Sequence, residues 1–353
     1  MSQLQDRIAG ALAGMVLGDA FGVPGELWPR AKVRERFGRI TEFLDGPADN
    51  IVACYFKAGH YTDDSAQAFV VLNAIEAAGT VPPVQTLAKD LIAWVESMNG
   101  FEINLLGPSS KASLLAWVKG EDALPVTKLS LTNGAAMRIA PVGCLIEAGE
   151  HEKIAEAAAR VSRVTHSTDV TIAGAAMVAQ AVASGVAGRS WEQTLADVKT
   201  IFPIASAKGE PTWAASILAR LEVFEELVLK RREAYDDEAV SRFIYDVIGT
   251  GTMTSESVTA ALALAFWAQN PKKAAEIAAN MGGDTDTIGG RGHRYHRGGD
   301  TDTIGCMAAA ICGAHCGISG IAAETVEFLE KTNGLHFGEL AQGVMKTRAV
   351  FTL

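Results

Sequence analysis

The stretch DRIAGALAGMVLGDAFG, residues 6–22, admits two opposite readings: a glycine-rich dinucleotide-binding loop, or a helix whose glycines serve close packing. Its apolar positions decide between them. Ile8, Leu12, Met15 and Val16 recur at helical spacing, and no convincing strand precedes the glycines, so a Rossmann βαβ unit does not fit. The run is a helix with small residues where another backbone can approach, and the Gly/Pro segment after it ends it.

The same period continues along the chain. Residues 63–79, DDSAQAFVVLNAIEAAG, begin behind Thr62 as a cap, carry acids in the first turn and stop at Gly79. Further periodic runs cover 84–97, 152–164, 170–186, 190–202, 212–228, 256–269 and 271–280, and an alanine-rich pair spans 303–331. RITEFLDG (39–46) and NIVACYFKAG (50–59) are the candidates for extended segments, and they are too few for a sheet. The pattern predicts an all-α fold: one compact helical domain over residues 1–353, without the repeat of about 34 to 45 residues that marks a solenoid.

Bulk composition narrows the function. The chain has 353 residues, 48% of them hydrophobic, which suffices for a sizeable core. With 41 acidic against 31 basic residues the net charge is −10, so a nucleic-acid backbone would be repelled. The nearest candidate for a basic patch, RREAYDDE from Arg231, is followed at once by acids and reads as a solvated helix face. Five cysteines, Cys54, Cys144, Cys306, Cys312 and Cys316, form no paired framework, which fits a reducing compartment. Cys312 and Cys316 flank His315 on an alanine-rich helix and read as core packing rather than a soft-metal site. No signal peptide is visible before the first helix, and no uninterrupted apolar stretch of membrane-span length is apparent, so the expected setting is cytoplasmic.

Three acidic turns stand out from this background: GHYTDDS at 59–65, and the octapeptide GGDTDTIG twice, at 282–289 and 298–305. Capping accounts for one Ser, Thr or Asp at a helix start, not for consecutive carboxylates. Asp63 and Asp64, with the Thr62 hydroxyl and with Asp300 and Asp302 from the far end of the chain, are hard oxygen ligands of the kind magnesium or manganese takes. A bound divalent ion would also remove the mutual repulsion of such acids. Neither octapeptide has the glycine spacing and lysine of a P-loop. His293 and His296, between the copies, read as part of an exposed basic turn.

In this order, GALAGMVLGDAFGVPGE (10–26), GHYTDDS, NGAAMRIAPVG (133–143), SRVTH (162–166) and GGDTDTIG resemble the ADP-ribosylglycohydrolase family. That family includes dinitrogenase-reductase-activating glycohydrolases and arginine- or serine-directed ADP-ribosyl hydrolases. The resemblance runs from about Ile8 to Gly317 and implies a compact all-α ADP-ribosylglycohydrolase-like domain with two Mg2+ or Mn2+ ions. It implies metal ligation by Thr62, Asp63 and Asp64, and by either Asp300, Asp302 and Thr303 or Asp284, Asp286 and Thr287. It also implies catalytic roles for Glu26, Asp63 and Asp302, and substrate contacts from Glu26, Asn133, Gly134, Arg138 and His166.

The implied reaction is metal-dependent hydrolysis of an ADP-ribosyl glycosidic bond, releasing ADP-ribose from a protein or small-molecule adduct. Modified nucleic acid enters only as such a substrate. Two other readings stay open: a catalytically weakened ADP-ribose-binding or structural protein, and a hydrolase of another ribosylated metabolite, with residues 101–117 shaping specificity.

A single site needs one octapeptide, so the other belongs to an insertion around 284–299. Copy two leads directly into an apolar helix that would fix the direction of its acids, whereas copy one is followed by GGRGHRYHRGG, where glycines and positive charge break the pattern. A surface insertion is tolerated at small closure entropy. Asp300, Asp302 and Thr303 are therefore the expected site set.

Overall fold

The computed structural model describes residues 1–103, 106–282 and 299–353, and these fold almost wholly into helices. Val84–Ser97, His151–Ser162, Asp169–Val186, Trp191–Ser206, Thr254–Ala268 and Pro271–Ala279 fall on the periodic runs. Among the described residues β pairing is confined to two isolated bridges, Thr132 with Met253 and Thr168 with Glu210. The protein is a compact all-α domain whose buried apolar residues form a continuous cluster.

The expected extended segments are not strands. Ile40 finds its partner in a side chain instead: Asn280 Oδ1 accepts from the Ile40 amide at 2.7 Å, and Asn280 Nδ2 donates to the Ile40 carbonyl at 2.7 Å. Residues 50–59 are tied by Asn50, whose Oδ1 accepts from the amides of Val52 and Ala53, both at 2.9 Å, before a 3-10 turn at Ala53–Tyr55. Asn and Asp side chains that satisfy nearby amides compete with a strand ladder in this way. The helix expected over 212–228 starts only at Ile217, capped by Ser216, because Thr212 is drawn off to the Asp169 carboxylate. Phe337–Val350, a helix the sequence pattern did not announce, has glycines at 338 and 343 that dilute its apolar stripe of Phe337, Ala341 and Val344.

Two helices dominate the centre. In Gln3–Gly22 every residue from Ile8 onward is buried, and the helix lies antiparallel against Thr301–Cys316. A row of glycines four apart makes this contact. Gly10, Gly14, Gly18 and Gly22 face the backbone of Gly313, Ala309, Gly305 and Asp302, so close that a methyl on any of them would overlap the opposing chain. Leucines at these positions would hold the axes apart, because packed interiors have no room for added carbons.

The same all-round burial corrects one sequence expectation. Gln3–Gly25 and Asp169–Val186 are long and apolar enough to cross a membrane, but all of the first window and 94% of the second are buried inside the protein. A helix apolar on every face is what a large core requires at its centre.

Asp284, Asp286, Thr287, His293 and His296 lie outside the described residues, but the ends of the chain around them are well placed. Thr250 Oγ1 donates to the Gly282 carbonyl at 2.7 Å, and the Thr250 carbonyl accepts from the Asp300 amide at 2.9 Å. One residue thus holds both sides of the junction. Joining Gly282 to Gly299 by deleting residues 283–298 is expected to leave the fold intact and to raise stability by up to about 2 kcal/mol, the closure entropy that a segment of this length would cost if it did no more than close a loop. Thermal denaturation followed by circular dichroism checks this; loss of cooperative unfolding would show that the segment is structural.

Candidate metal centre

Thr62 has extended backbone and caps the helix Asp63–Ala78, accepting from the Asp64 amide at 3.4 Å. This sets Asp63 and Asp64 in the first helical turn, where the helix dipole favours negative charge. The turn is fixed from outside by Asp19, a residue the sequence reading passed over. Asp19 Oδ1 accepts from the Thr62 amide at 2.9 Å and Oδ2 from the Ser65 amide at 3.0 Å. A fully buried acid inside a largely apolar helix was its signal, hidden because that helix reads as core.

Asp302 arrives opposite. It occupies the first turn of Thr301–Cys316, and its Oδ1 accepts from the Thr303 amide at 2.8 Å. Thr301 Oγ1 donates to the Gly22 carbonyl at 2.9 Å, so the glycine contact that packs the two helices also places Asp302 near Asp19. Asp300 is oriented by Asn133, whose Nδ2 donates to Asp300 Oδ2 and to Ser257 Oγ. Glu26 follows the 3-10 turn Val23–Gly25; its carbonyl accepts from Asn50 Nδ2 at 2.6 Å.

The result is a convergence of carboxylates from three distant parts of the chain. Asp19, Asp64 and Asp302 each offer an oxygen within 4.8 Å of the others, and so do Glu26, Asp300 and Asp302. Asp302 belongs to both groups. Burial pushes Asp19, Glu26, Asp63, Asp64 and Asp300 toward the protonated form, and their neighbours' charges add to it. Asp19 and Asp300 are pushed up to about 7, and Glu26, Asp63 and Asp64 well above the usual carboxylate range, with Asp302 the leading charged neighbour in each case. Asp64 Oδ2 and Glu26 Oε2 are buried without a hydrogen-bond partner. Buried acceptors are rarely left so, and hard oxygens crowded without compensating cations fit a divalent ion.

Other expected site residues sit differently. Asp63 is half-buried, outside both oxygen groups, and accepts from Gln67 Nε2 at 2.9 Å. Thr303 is buried beside Asp302. Arg138, expected among the substrate contacts, is instead completely buried, donating to Gln67 Oε1, Thr165 Oγ1 and the Val161 carbonyl. His166 is also wholly buried, with both ring nitrogens engaged, by Thr165 and Thr132, and burial with the Arg138 charge lowers its pKa to about 3. Gly134 leaves room for it, since a Cβ there would lie 2.9 Å from His166 Cε1. Asn133 faces Asp300 rather than an open surface. The helix Pro108–Val118 packs on the same turn, Ser113 Oγ donating to the Thr165 carbonyl and Trp117 Nε1 to that of Val164. Asn104 and Leu105, in the segment assigned to specificity, lie outside the described residues. His315 stacks on Trp191 with centroids 3.8 Å apart, and Cys312 is buried, as core packing requires.

With this geometry, comparison with known proteins is informative. The sequence model of the ADP-ribosylglycohydrolase family matches residues 1–290 and 295–350. The chain belongs to this family. Its relatives include the uncharacterized protein YegU of Escherichia coli (strain K12), 38% identical over 97% of each chain. The ADP-ribosylarginine hydrolase Tri1 of Pseudomonas putida (strain GB-1) is 23% identical over 96% of this chain and 78% of its own. A solved structure titled "ADP-ribosylglycohydrolase-related protein complex" superposes with a TM-score of 0.68 over the whole of both chains at 19% identity, and so shares the fold. The family's description, ADP-ribosylglycohydrolase, names its chemistry in general terms: hydrolysis of ADP-ribosyl adducts.

Proposed function

We propose that this family member hydrolyses an ADP-ribosyl glycosidic bond with the help of one or two magnesium or manganese ions. The observation that carries the reading is the meeting of Asp19, Glu26, Asp64, Asp300 and Asp302 in two overlapping oxygen groups, with Asp64 Oδ2 and Glu26 Oε2 unpartnered. Asp64 and Asp302, with Asp19 behind them, suit one ion, and Glu26, Asp300 and Asp302 a second. When bound, the ions would supply positive charge that orients ribose hydroxyls and polarises water.

The remaining work falls to side chains. Asp19 fixes the Thr62–Ser65 turn, and Asn133 fixes Asp300. Glu26, whose Oε2 has no protein partner, is the group suited to exchange a proton with the water or the leaving group. Water adds its hydroxyl to the anomeric carbon, the C–N or C–O bond to the adduct breaks, and the second proton goes to the leaving atom. Asp63 and Thr303 border the cluster as further candidate oxygen donors.

A panel of arginine-linked, serine-linked and O-acetyl-ADP-ribose adducts and ADP-ribosylated nucleic acid, assayed with Mg2+ or Mn2+, tests this. The arginine linkage comes first because a relative is named for it. Free ADP-ribose is expected from at least one adduct, with loss of turnover in chelator and in Asp63→Ala of retained fold. ADP-ribose binding without turnover on any adduct would favour a weakened binding protein.

A further inference from the structure

Beneath the acid cluster runs a buried polar chain that no step above uses. Asp63 Oδ2 accepts from Gln67 Nε2 at 2.9 Å, and Gln67 Oε1 accepts from Arg138 Nη1 at 2.8 Å. Arg138 Nη2 then donates to Thr165 Oγ1 at 2.7 Å, and this oxygen lies 2.7 Å from His166 Nδ1. His166 Nε2 lies 2.9 Å from Thr132 Oγ1, and the next residue, Asn133, donates to Asp300.

The donors fix the direction of the chain. A guanidinium only donates, so Thr165 accepts from Arg138 and has its own proton for His166 Nδ1; neutral His166 then carries its proton on Nε2 and donates to Thr132. Every link is satisfied in one sense, outward from Arg138 in both directions. Arg138, whose Nε alone is left without a partner, is the centre of a network that reaches Asp63 at one end and, at the other, Thr132, the residue before the Asn133 that donates to Asp300.

We infer that Arg138 is a positioning residue for the metal centre, holding Asp63 through Gln67 in the orientation from which it serves a divalent ion. The inference rests on the metal-dependent reading above. Gln67 is buried and its amide is the sole bridge between the two charged groups among the described contacts, so it can neither rotate nor flip without breaking one bond. Supporting residues of this kind typically change metal affinity by about 10- to 100-fold when removed.

The test is calorimetric titration of the metal-free protein with Mn2+, beside kcat and KM at limiting and saturating Mn2+. Gln67→Met keeps the volume and deletes both bonds. Its Mn2+ affinity is expected to fall by about 10-fold or more, with kcat largely restored at saturating metal. Ser184→Ala, which removes a buried hydrogen bond to Asp197 away from the cluster, is the control: it is expected to lower the melting temperature with Mn2+ affinity unchanged. Arg138→Lys keeps the charge but loses the fork that reaches Gln67 and Thr165 together, and gives a second reading if Gln67→Met does not fold; its Mn2+ affinity is expected to fall in the same direction. Wild-type affinity in the variants that fold overturns the inference and leaves the functional reading standing. No Mn2+ or Mg2+ binding by the wild type sinks both.

Discussion

Asp302→Asn is expected to reduce kcat/KM by more than about 10³-fold, on the order of 4 kcal/mol of transition-state stabilisation, while making the metal-free protein more stable. The two effects have one cause. Asp302 is shared by both oxygen groups and is the leading charge that pushes Asp19, Glu26, Asp63, Asp64 and Asp300 toward protonation. Its neutral isostere keeps the acceptor for the Thr303 amide but removes that repulsion.

The sign with pH follows from linkage. A carboxyl whose folded pKa lies above its unfolded value binds more protons when folded, so its contribution to stability is complete below the unfolded pKa and is lost as pH rises through the folded one. For Asp19 and Asp300, raised from 3.8 to about 7, the metal-free protein should lose stability between those pH values, and Asp302→Asn should flatten the loss. Thermal denaturation of metal-free protein across this pH range, with steady-state kinetics in Mn2+, reads both effects. A variant that is active, or less stable than wild type without metal, would contradict the assignment of Asp302 as the shared ligand.

Gly18→Ala is expected to give a large loss of stability for a single added methyl. The new Cβ would overlap the Gly305 carbonyl, backbone against backbone, and the reverse change at Gly305 would bring its Cβ to 2.5 Å from the Gly18 carbonyl. Neither side can yield by turning a side chain. Separating the helices should cost more than about 3 kcal/mol, a large part of a typical domain's stability. Asp19, next to Gly18, would move with the helix and release the Thr62–Ser65 turn. Gly107→Ala is the matched control, since nothing lies within 4 Å of a methyl there and its φ is −60°. Denaturant unfolding of both variants measures the difference; equal midpoints would show that the helix pair tolerates separation.

These cases mark how much was legible beforehand. The Thr62–Asp63–Asp64 turn could be read because capping uses one polar residue and the sequence supplies three. The octapeptide could be read for the same reason, and Glu26 through family resemblance. Asp19 could not, because one acid in an apolar helix has no local pattern. Asn50, Gln67 and Thr250 were equally silent, since each acts on a residue far away in sequence or through a backbone group. The burial of Arg138 and His166 was not legible either, because polarity is visible in a sequence and depth is not.

The sequence by itself determined that the chain is helical, where acids replace ordinary caps, and that glycines recur every four residues in the first helix. These are local facts, fixed by propensity and period. It also offered two identical octapeptides, which have identical local preferences and differ only in their flanking residues. Only the tertiary structure put Asp300 and Asp302 beside Asp19, Glu26 and Asp64, because that placement depends on Gly18 meeting Gly305 and on Thr250 holding Gly282 and Asp300 together. Backbone contact between helices nearly three hundred residues apart is a property of packing, and no local pattern specifies it.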